Sequence, residues 1–119
     1  MENEGINLIL WLDKSRRIRK FEVSGHAGYA EYGLDIVCAA VSALSISAVN
    51  GLDYFLPVKP EVEVIDPRGF LSCALPDLEP QTLEQAQWIL HTMVLGVEAI
   101  QQNYGEKYLK ITRRRWTPC

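Results

Sequence analysis

The chain has 119 residues, of which 48% are hydrophobic, and a formal net charge of −3 at pH 7. This length and apolar content fit one compact domain over residues 1–119. The negative charge argues against a protein whose main partner is nucleic acid, because such proteins neutralise phosphates with a basic face. No direct nucleic-acid binding is therefore expected, and any RNA contact would be local.

The first half of the chain changes from a strand pattern to a helix pattern. Apolar residues alternate in INLILWL, residues 6–12, and the turn DKSRR leads into a second strand over residues 18–24. A glycine-containing loop, residues 25–33, follows this hairpin. DIVCAAVSALSISAVNGL then places apolar residues at steps of three and four, which predicts a helix from close to Asp35 to a stop at Gly51.

The second half repeats this arrangement. VEVI and FLSCAL flank the turn sequence DPRG and predict a second hairpin. Thr82 and Gln85 have the spacing of a capping box, so a second helix is expected to begin there and continue to Tyr104. A last strand is predicted from Tyr108 to Arg115. The fold class is therefore α+β: a single two-layer domain with a mixed sheet and two helices, in the order β-β-α-β-β-α-β.

The second helix has more apolar surface than one small domain can cover. Its main stripe is Leu83, Ala86, Leu90, Met93, Val97, Ile100 and Tyr104. Trp88, Ile89 and Leu95 lie outside that stripe. We therefore expect a homodimer.

Cysteine and histidine usage indicates a reducing compartment and no metal. Cys38, Cys73 and Cys119 follow no CxxC spacing, and an odd count is a poor disulfide framework. With two histidines and no acidic cluster beside them, neither a metal nor a cofactor is expected. The sequence has no basic-then-apolar leader and no uninterrupted apolar run of about 18 residues, so we expect a cytoplasmic protein without a membrane span.

One basic cluster stands out near the end of the chain. Arg113, Arg114 and Arg115 follow one another, with Trp116 beside them. Such a run is interpreted as a solvated strand end, with a phosphate-binding role as the alternative.

Cys38 and His26 together suggest thiol chemistry. If the first helix begins close to Asp35, Cys38 lies in its first turn, where unpaired backbone N–H groups and the helix dipole favour a thiolate. An imidazole from His26 can accept the thiol proton and return it to a leaving amine. The same residues also allow a simpler interpretation, in which Cys38 is a small buried hydrophobe and His26 a loop residue.

Two longer segments resemble one known family. GHA followed by GLDIVCAAVS, and EQAQWILHTMVLGVEAIQQNY over residues 84–104, resemble the ribosomal-processing cysteine protease family called Prp. The resemblance covers most of the chain. It implies a homodimeric bacterial endopeptidase that removes the N-terminal extension of large-subunit ribosomal protein twenty-seven, cutting after aromatic residues. The extension would be the peptide partner.

The resemblance also implies roles for individual residues. Cys38 matches the nucleophile of the family motif and His26 the general base. Gly25, Asp35 and Ser42 match positions that support this pair or bind substrate. The loop from 27 to 34 matches a segment that opens to admit the peptide.

An alternative from another class remains open at this point. The chain is then a non-catalytic ribosome-assembly or peptide-binding module, in which Cys38 is a packed helix residue. A thiol redox protein is less favoured, because no resolving cysteine stands near Cys38 in the sequence. The geometry of His26 and Cys38 and the reactivity of the thiol distinguish these possibilities.

Overall fold

The computed structural model describes residues 5–25, 32–65 and 69–118. In this part of the chain the elements follow the predicted order: β1 (Ile6–Leu12), β2 (Ile18–Ser24), α1 (Tyr32–Phe55), β3 (Glu61–Ile65), β4 (Phe70–Ala74), α2 (Pro80–Tyr104) and β5 (Leu109–Arg115). The predicted class, an α+β domain with two helices and one mixed sheet, is confirmed.

The five strands form one sheet in the order β3-β4-β2-β1-β5. Both hairpins, β1–β2 and β3–β4, are antiparallel, and β2 also pairs antiparallel with β4. β5 is the exception, because it returns parallel to β1, with Ile6 opposite Leu109 and Leu12 opposite Arg115. β1 and β2 are therefore interior strands, while β3 and β5 form the edges.

The core lies between one face of the sheet and the two helices. Alternate residues of β1 point into it, and Ile6, Leu8 and Leu10 are at most 1% exposed. The helices supply the other half, with side chains at helical spacing; the most buried are Val37, Val41, Leu52, Ala86, Leu90 and Val97. Each valine, leucine or isoleucine side chain among them contributes about 1.5–3 kcal/mol when fully buried.

The two helices pack antiparallel through close glycine contacts. A Cβ atom on Gly96 would lie 2.8 Å from a methyl carbon of Leu44, and one on Gly51 would lie 3.6 Å from Ile89. Because residue numbers fall along α2 as they rise along α1, the last turn of α2 lies beside the early part of α1. This register places the residues of the candidate site.

Helix α1 differs from the prediction at both ends, and α2 differs at its start. α1 is already helical at Tyr32 and passes through Gly51 to Phe55. Glycine costs about 1 kcal/mol in a helix interior, but continuing the helix buries Leu52 completely. The capping box at Thr82 is wrong: α2 starts with Pro80, and Glu79 precedes it without a side-chain cap. Proline suits this position, since it has no N–H to leave unpaired.

The composition of α1 also meets the criterion for a membrane span. Residues 36–55 are long and apolar enough to cross a bilayer. The core helix of a soluble protein passes the same test, and α1 buries Val37, Val41, Ala48 and Leu52 in the core described above.

A buried glutamine ties α2 to the start of β2. Gln87 is 6% exposed, and its side chain makes two hydrogen bonds to the backbone of Ile18. The Ile18 N–H donates to Oε1 at 2.7 Å, and Nε2 donates to the Ile18 carbonyl at 3.0 Å. Sequence periodicity did not identify Gln87, because a polar residue does not contribute to an apolar stripe.

Replacing Gln87 by leucine is expected to lower the free energy of unfolding by about 2–3 kcal/mol, because both Ile18 backbone groups lose their buried partner. Urea denaturation of the purified variant measures this. Gln85→Leu, an exposed change on the same helix, is the control and is expected to shift stability by less than about 0.5 kcal/mol. Equal effects of the two changes would contradict the assigned role of Gln87.

Candidate active site

Gly25 directly follows β2 in a conformation that requires glycine. Its φ is 113°, and a Cβ atom at this position would lie 2.7 Å from the carbonyl oxygen of Gly5. Gly5 is equally confined, since its Cβ would come within 3.0 Å of the carbonyl oxygens of Lys107 and Tyr108. The end of β2, the start of β1 and the approach to β5 therefore meet in close backbone contact, directly before His26.

Part of the predicted site lies outside the described residues. This applies to His26, to residues 27–31 of the predicted opening loop and to the side chain of Asp35. The backbone of Asp35 belongs to α1. The loop prediction is too long at its end, because residues 32–34 are helical.

Cys38 lies on α1, but not in its first turn. It follows Tyr32 by six residues, nearly two helical turns. The unpaired N–H groups of a helix belong to its first turn, and the effect of the dipole falls off over the same distance. The helix start therefore does not supply the predicted activation of the thiol.

The surroundings of Cys38 leave access from solvent. Its side chain is half-buried and packs partly against the core. Ser42 lies one turn further along the same side of α1 and is exposed, as are Ala39 and Ala43. Small side chains thus border the thiol on the helix surface, where a peptide can approach it.

The helix packing brings Cys38 to the same end of the domain as Gly25. The contacts between Leu44 and Gly96 and between Gly51 and Ile89 define an antiparallel register. Extended along the helices, this register puts Cys38 level with the last turn of α2.

The last turn of α2 is connected to the Gly5–Gly25 junction through β5. Gln101 donates a hydrogen bond from Nε2 to the carbonyl of Leu109, at 2.9 Å. Leu109 is the strand partner of Ile6, and Ile6 Cα lies close to Gly25. Cys38 and the residue that precedes His26 therefore share one end of the fold.

The second histidine lies away from this end. In the helix register His91 is level with residue 49 of α1, eleven residues from Cys38, which is about 16 Å along a helix. His91 instead lines an open cleft with Arg16, Arg17 and Trp88, between the β1–β2 turn and α2. Of the predicted site residues that the structure describes, Gly25, Cys38 and Ser42 do not line that cleft. Within the described residues, no group of three or more metal-ligating side chains occurs.

Cys73 has the opposite character to Cys38. It lies in β4, is 2% exposed and belongs to the core. Burial disfavours the charged thiolate and raises the pKa of Cys73 to about 11. At neutral pH this thiol is protonated and shielded, so it is unsuited to nucleophilic chemistry.

Comparisons with known proteins identify the family of this chain. The model of the family described as cysteine protease Prp matches residues 6–110. The ribosomal processing cysteine protease Prp of Bacillus subtilis is 32% identical over 96 residues, which cover 80% of this chain and 85% of the relative. Its counterpart from Staphylococcus aureus strain Mu50 is 33% identical over 84 residues, covering 71% and 76% of the two chains.

Solved structures share the fold. The crystal structure of the essential ribosomal processing protease Prp from S. aureus in complex with a substrate peptide has a TM-score of 0.82 and 25% identity, covering 92% of this chain and 99% of that one. The protein SMU.848 from Streptococcus mutans also has a TM-score of 0.82, with 26% identity, covering 95% of this chain and 97% of its own. Because the family model spans most of the sequence and the relatives exceed 30% identity, this chain belongs to the cysteine protease Prp family.

Proposed function

We propose that this protein is a cysteine endopeptidase in which Cys38 is the nucleophile and His26 the general base. The observation that carries the proposal is the placement of a half-buried thiol, on α1, at the end of the fold where Gly25 directs the chain into His26. His91, about 16 Å further along the helix pair, does not compete for this role.

Hydrolysis of the peptide bond requires two acyl transfers, first to the Cys38 sulfur and then to water. His26 takes the proton of Cys38, and the sulfur attacks the carbonyl carbon of the peptide bond. The C–N bond breaks as His26 gives that proton to the leaving amine, and the acyl group remains on sulfur as a thioester. Water then adds to the thioester, losing a proton to His26, and the carboxylic product departs as the thiol is restored.

Asp35, Ser42 and Gly25 have supporting roles in this proposal. Ser42 is exposed one turn beyond Cys38, so its hydroxyl can hydrogen-bond to a bound peptide. Gly25 sets the direction of the backbone before His26, since no other residue fits its close approach to Gly5. Asp35, three residues before Cys38 on α1, supports the catalytic pair.

The proposed substrate is the N-terminal extension of large-subunit ribosomal protein twenty-seven, cut after aromatic residues. Its support is the family membership and the similarity to a Prp structure that holds a substrate peptide. We further propose that cleavage takes place in the cytoplasm. The free thiols of Cys38 and Cys73 agree with a reducing compartment.

Cys38→Ala and His26→Ala are each expected to abolish cleavage of a peptide that carries two aromatic residues before the cut. The first variant cannot form the thioester, and the second cannot protonate the leaving amine. Asp35→Ala is expected to reduce cleavage without abolishing it, because a supporting carboxylate makes no bond to the substrate. Mass spectrometry of the reaction products measures all three.

Each catalytic substitution has a matched control in this chain. Cys73→Ala removes a thiol from the core, and His91→Ala removes the imidazole at the cleft; both are expected to retain cleavage. Circular dichroism verifies that every variant is folded. Full cleavage by folded Cys38→Ala would overturn the protease mechanism, whereas an intact wild-type protein that binds the peptide without cutting it would indicate the non-catalytic module.

Thiol labelling tests the nucleophile without a substrate. In the folded protein at pH 7.5 to 8, iodoacetamide is expected to modify Cys38 well before Cys73, because Cys73 is buried and its pKa is raised to about 11. Peptide mapping at timed intervals gives the two rates, and labelling in urea provides the unfolded reference. Faster modification of Cys73 in the native state would contradict the assignment.

We also propose that the protein forms a homodimer through its helical face. Trp88 and Leu95 on α2 are 64% and 66% exposed. Ile46 on α1 is 53% exposed and, in the helix register, level with residue 94 of α2. Apolar side chains of both helices thus form one exposed surface, which a second copy can cover.

Leu95→Glu is expected to convert the dimer into a monomer, since it places a charge in the centre of that surface. Light scattering coupled to size-exclusion chromatography measures the mass at micromolar concentration. Val64→Glu, a similar change at an exposed apolar position on edge strand β3, is the control and should leave the dimer intact. A monomeric wild-type protein, or a dimer lost only in Val64→Glu, would refute this interface.

A further inference from the structure

Basic residues are concentrated at the end of the sheet that carries the β1–β2 turn. Of the 12 lysines and arginines in the chain, eight lie there, and we call them the basic end: Lys14, Arg16, Arg17, Arg19, Lys20, Arg113, Arg114 and Arg115. The parallel pairing of β5 with β1 is responsible. It sets residues 113–115 beside residues 10–12, immediately before the turn, and β2 begins directly after it.

Fewer carboxylates than cations occupy this region. Ion pairs join Asp13 to Arg17 (3.1 Å) and Arg19 (2.9 Å), Glu22 to Lys20 (3.4 Å) and Glu98 to Arg113 (3.0 Å). Glu84 lines the cleft that also contains Arg16 and Arg17. Among the described residues, no carboxylate lies within 4.0 Å of Lys14, Arg16, Arg114 or Arg115. The basic end therefore keeps an excess of positive charge in a chain of net charge −3.

Two tryptophans hold several of these cations in place. Lys20 Nζ lies 4.8 Å and Arg114 Cζ 5.8 Å from the ring centre of Trp11. Arg19 Cζ lies 4.8 Å from the ring centre of Trp116, whose backbone N–H donates to the Leu12 carbonyl. An indole ring is neutral, so it orients a cation without cancelling its charge. Cations ordered in advance lose less conformational entropy when they bind an anion.

Asp13 stabilises the β1–β2 turn through hydrogen bonds. Its carboxylate accepts hydrogen bonds from the backbone N–H groups of Ser15 and Arg17 and from the side chains of Arg17 and Arg19. Burial opposes ionisation, but these bonds and the nearby guanidinium charge outweigh it, and the pKa of Asp13 lies below its usual value. Asp13 therefore remains ionised at neutral pH and anchors two arginines at the end of the sheet.

We propose that the basic end binds the phosphate backbone of single-stranded RNA. Its cations lie on β2, on the turn and on β5, and strands on either side of β1 are about 10 Å apart. Because side chains alternate along a strand, Arg114 lies with Trp11 on the outer face of the sheet, whereas Arg113 and Arg115 lie on the helix face. The cations therefore surround this end of the sheet, a spread that exceeds one phosphate group and suits successive phosphates of a polymer. Six of the eight cations are arginines, whose planar fork matches phosphate oxygens.

An RNA partner fits this surface better than an anionic membrane does. A membrane-binding surface inserts apolar or aromatic side chains beside its cations. Here Trp11 and Trp116 are stacked with Lys20, Arg114 and Arg19 and are only partly exposed. Trp88 and Leu95 are exposed beside Arg16 and Arg17, but they belong to the surface that the proposed dimer covers. The choice of RNA over DNA rests on the proposed function, because a ribosomal protein substrate associates with ribosomal RNA.

The net charge of the chain predicted no direct nucleic-acid binding beyond a local RNA contact, but that argument averages over the whole surface. The basic end lies at one end of β1, and the Gly5–Gly25 junction lies at the other end, about 20 Å away. RNA and a peptide substrate can therefore be bound at the same time.

Fluorescence anisotropy with a labelled 20-nucleotide single-stranded RNA of mixed sequence tests the proposal, at KCl concentrations from 50 to 200 mM. Saturable binding that weakens with salt is expected for the wild-type protein. The double substitution Arg114→Gln, Arg115→Gln should weaken binding about tenfold at the lowest salt and reduce the slope of log K against log salt by about 1.4, the value for two phosphate contacts to a single strand. Lys59→Gln, Lys110→Gln is the charge-matched control away from the basic end and should change the affinity by less than about twofold.

The outcomes separate this proposal from its alternatives and from the proteolytic function. No saturable RNA binding at 50 mM KCl, or equal weakening by the two double variants, would overturn it. Binding to phosphatidylglycerol vesicles without binding to RNA would also overturn it and identify a membrane surface. Because the assay contains no peptide and measures no cleavage, its result is independent of whether Cys38 is the nucleophile.

Discussion

Strand β1 is the element on which the rest of the molecule depends. Ile6, Leu8 and Leu10 are almost completely buried against the two helices, and the strand pairs with β2 on one side and β5 on the other. Only the β1–β5 pair is parallel within the described sheet. Since a parallel strand needs a long crossover, α1, the second hairpin and α2 all lie between the two strands in sequence.

This pairing gives the two ends of the sheet different properties. At the start of β1, Gly5 and Gly25 bring three chain segments together beside the last turn of α2, and the helix register sets Cys38 at that end. At the other end, β5 delivers three consecutive arginines to the turn of the first hairpin. The proposed thiol and peptide site thus lies at one end of the sheet, and the proposed anion-binding surface lies at the other.

The order of elements could be predicted because alternating and helical apolar periods are local properties of a sequence. Helix ends were less predictable, since they depend on distant packing: burial of Leu52 carries α1 past Gly51, and Pro80 starts α2 before Thr82. Cys38 was selected by its motif, yet the physical reason given for its activation was wrong because α1 is already helical at Tyr32. Of the basic end, the sequence singled out only Arg113, Arg114 and Arg115, with phosphate binding as the alternative; the other cations become their neighbours only through the parallel pairing of β5.

The most direct test of the account is to capture the covalent intermediate. Wild-type protein is mixed with a substrate peptide, quenched in acid within milliseconds to seconds, and analysed by intact-mass and peptide-mapping mass spectrometry. The account predicts a transient mass increase equal to the N-terminal acyl fragment, located on the Cys38 sulfur and released by hydroxylamine as a thioester is. An acyl group on another residue while the peptide is being cut, or unchanged cleavage by protein whose Cys38 has been alkylated, would contradict it.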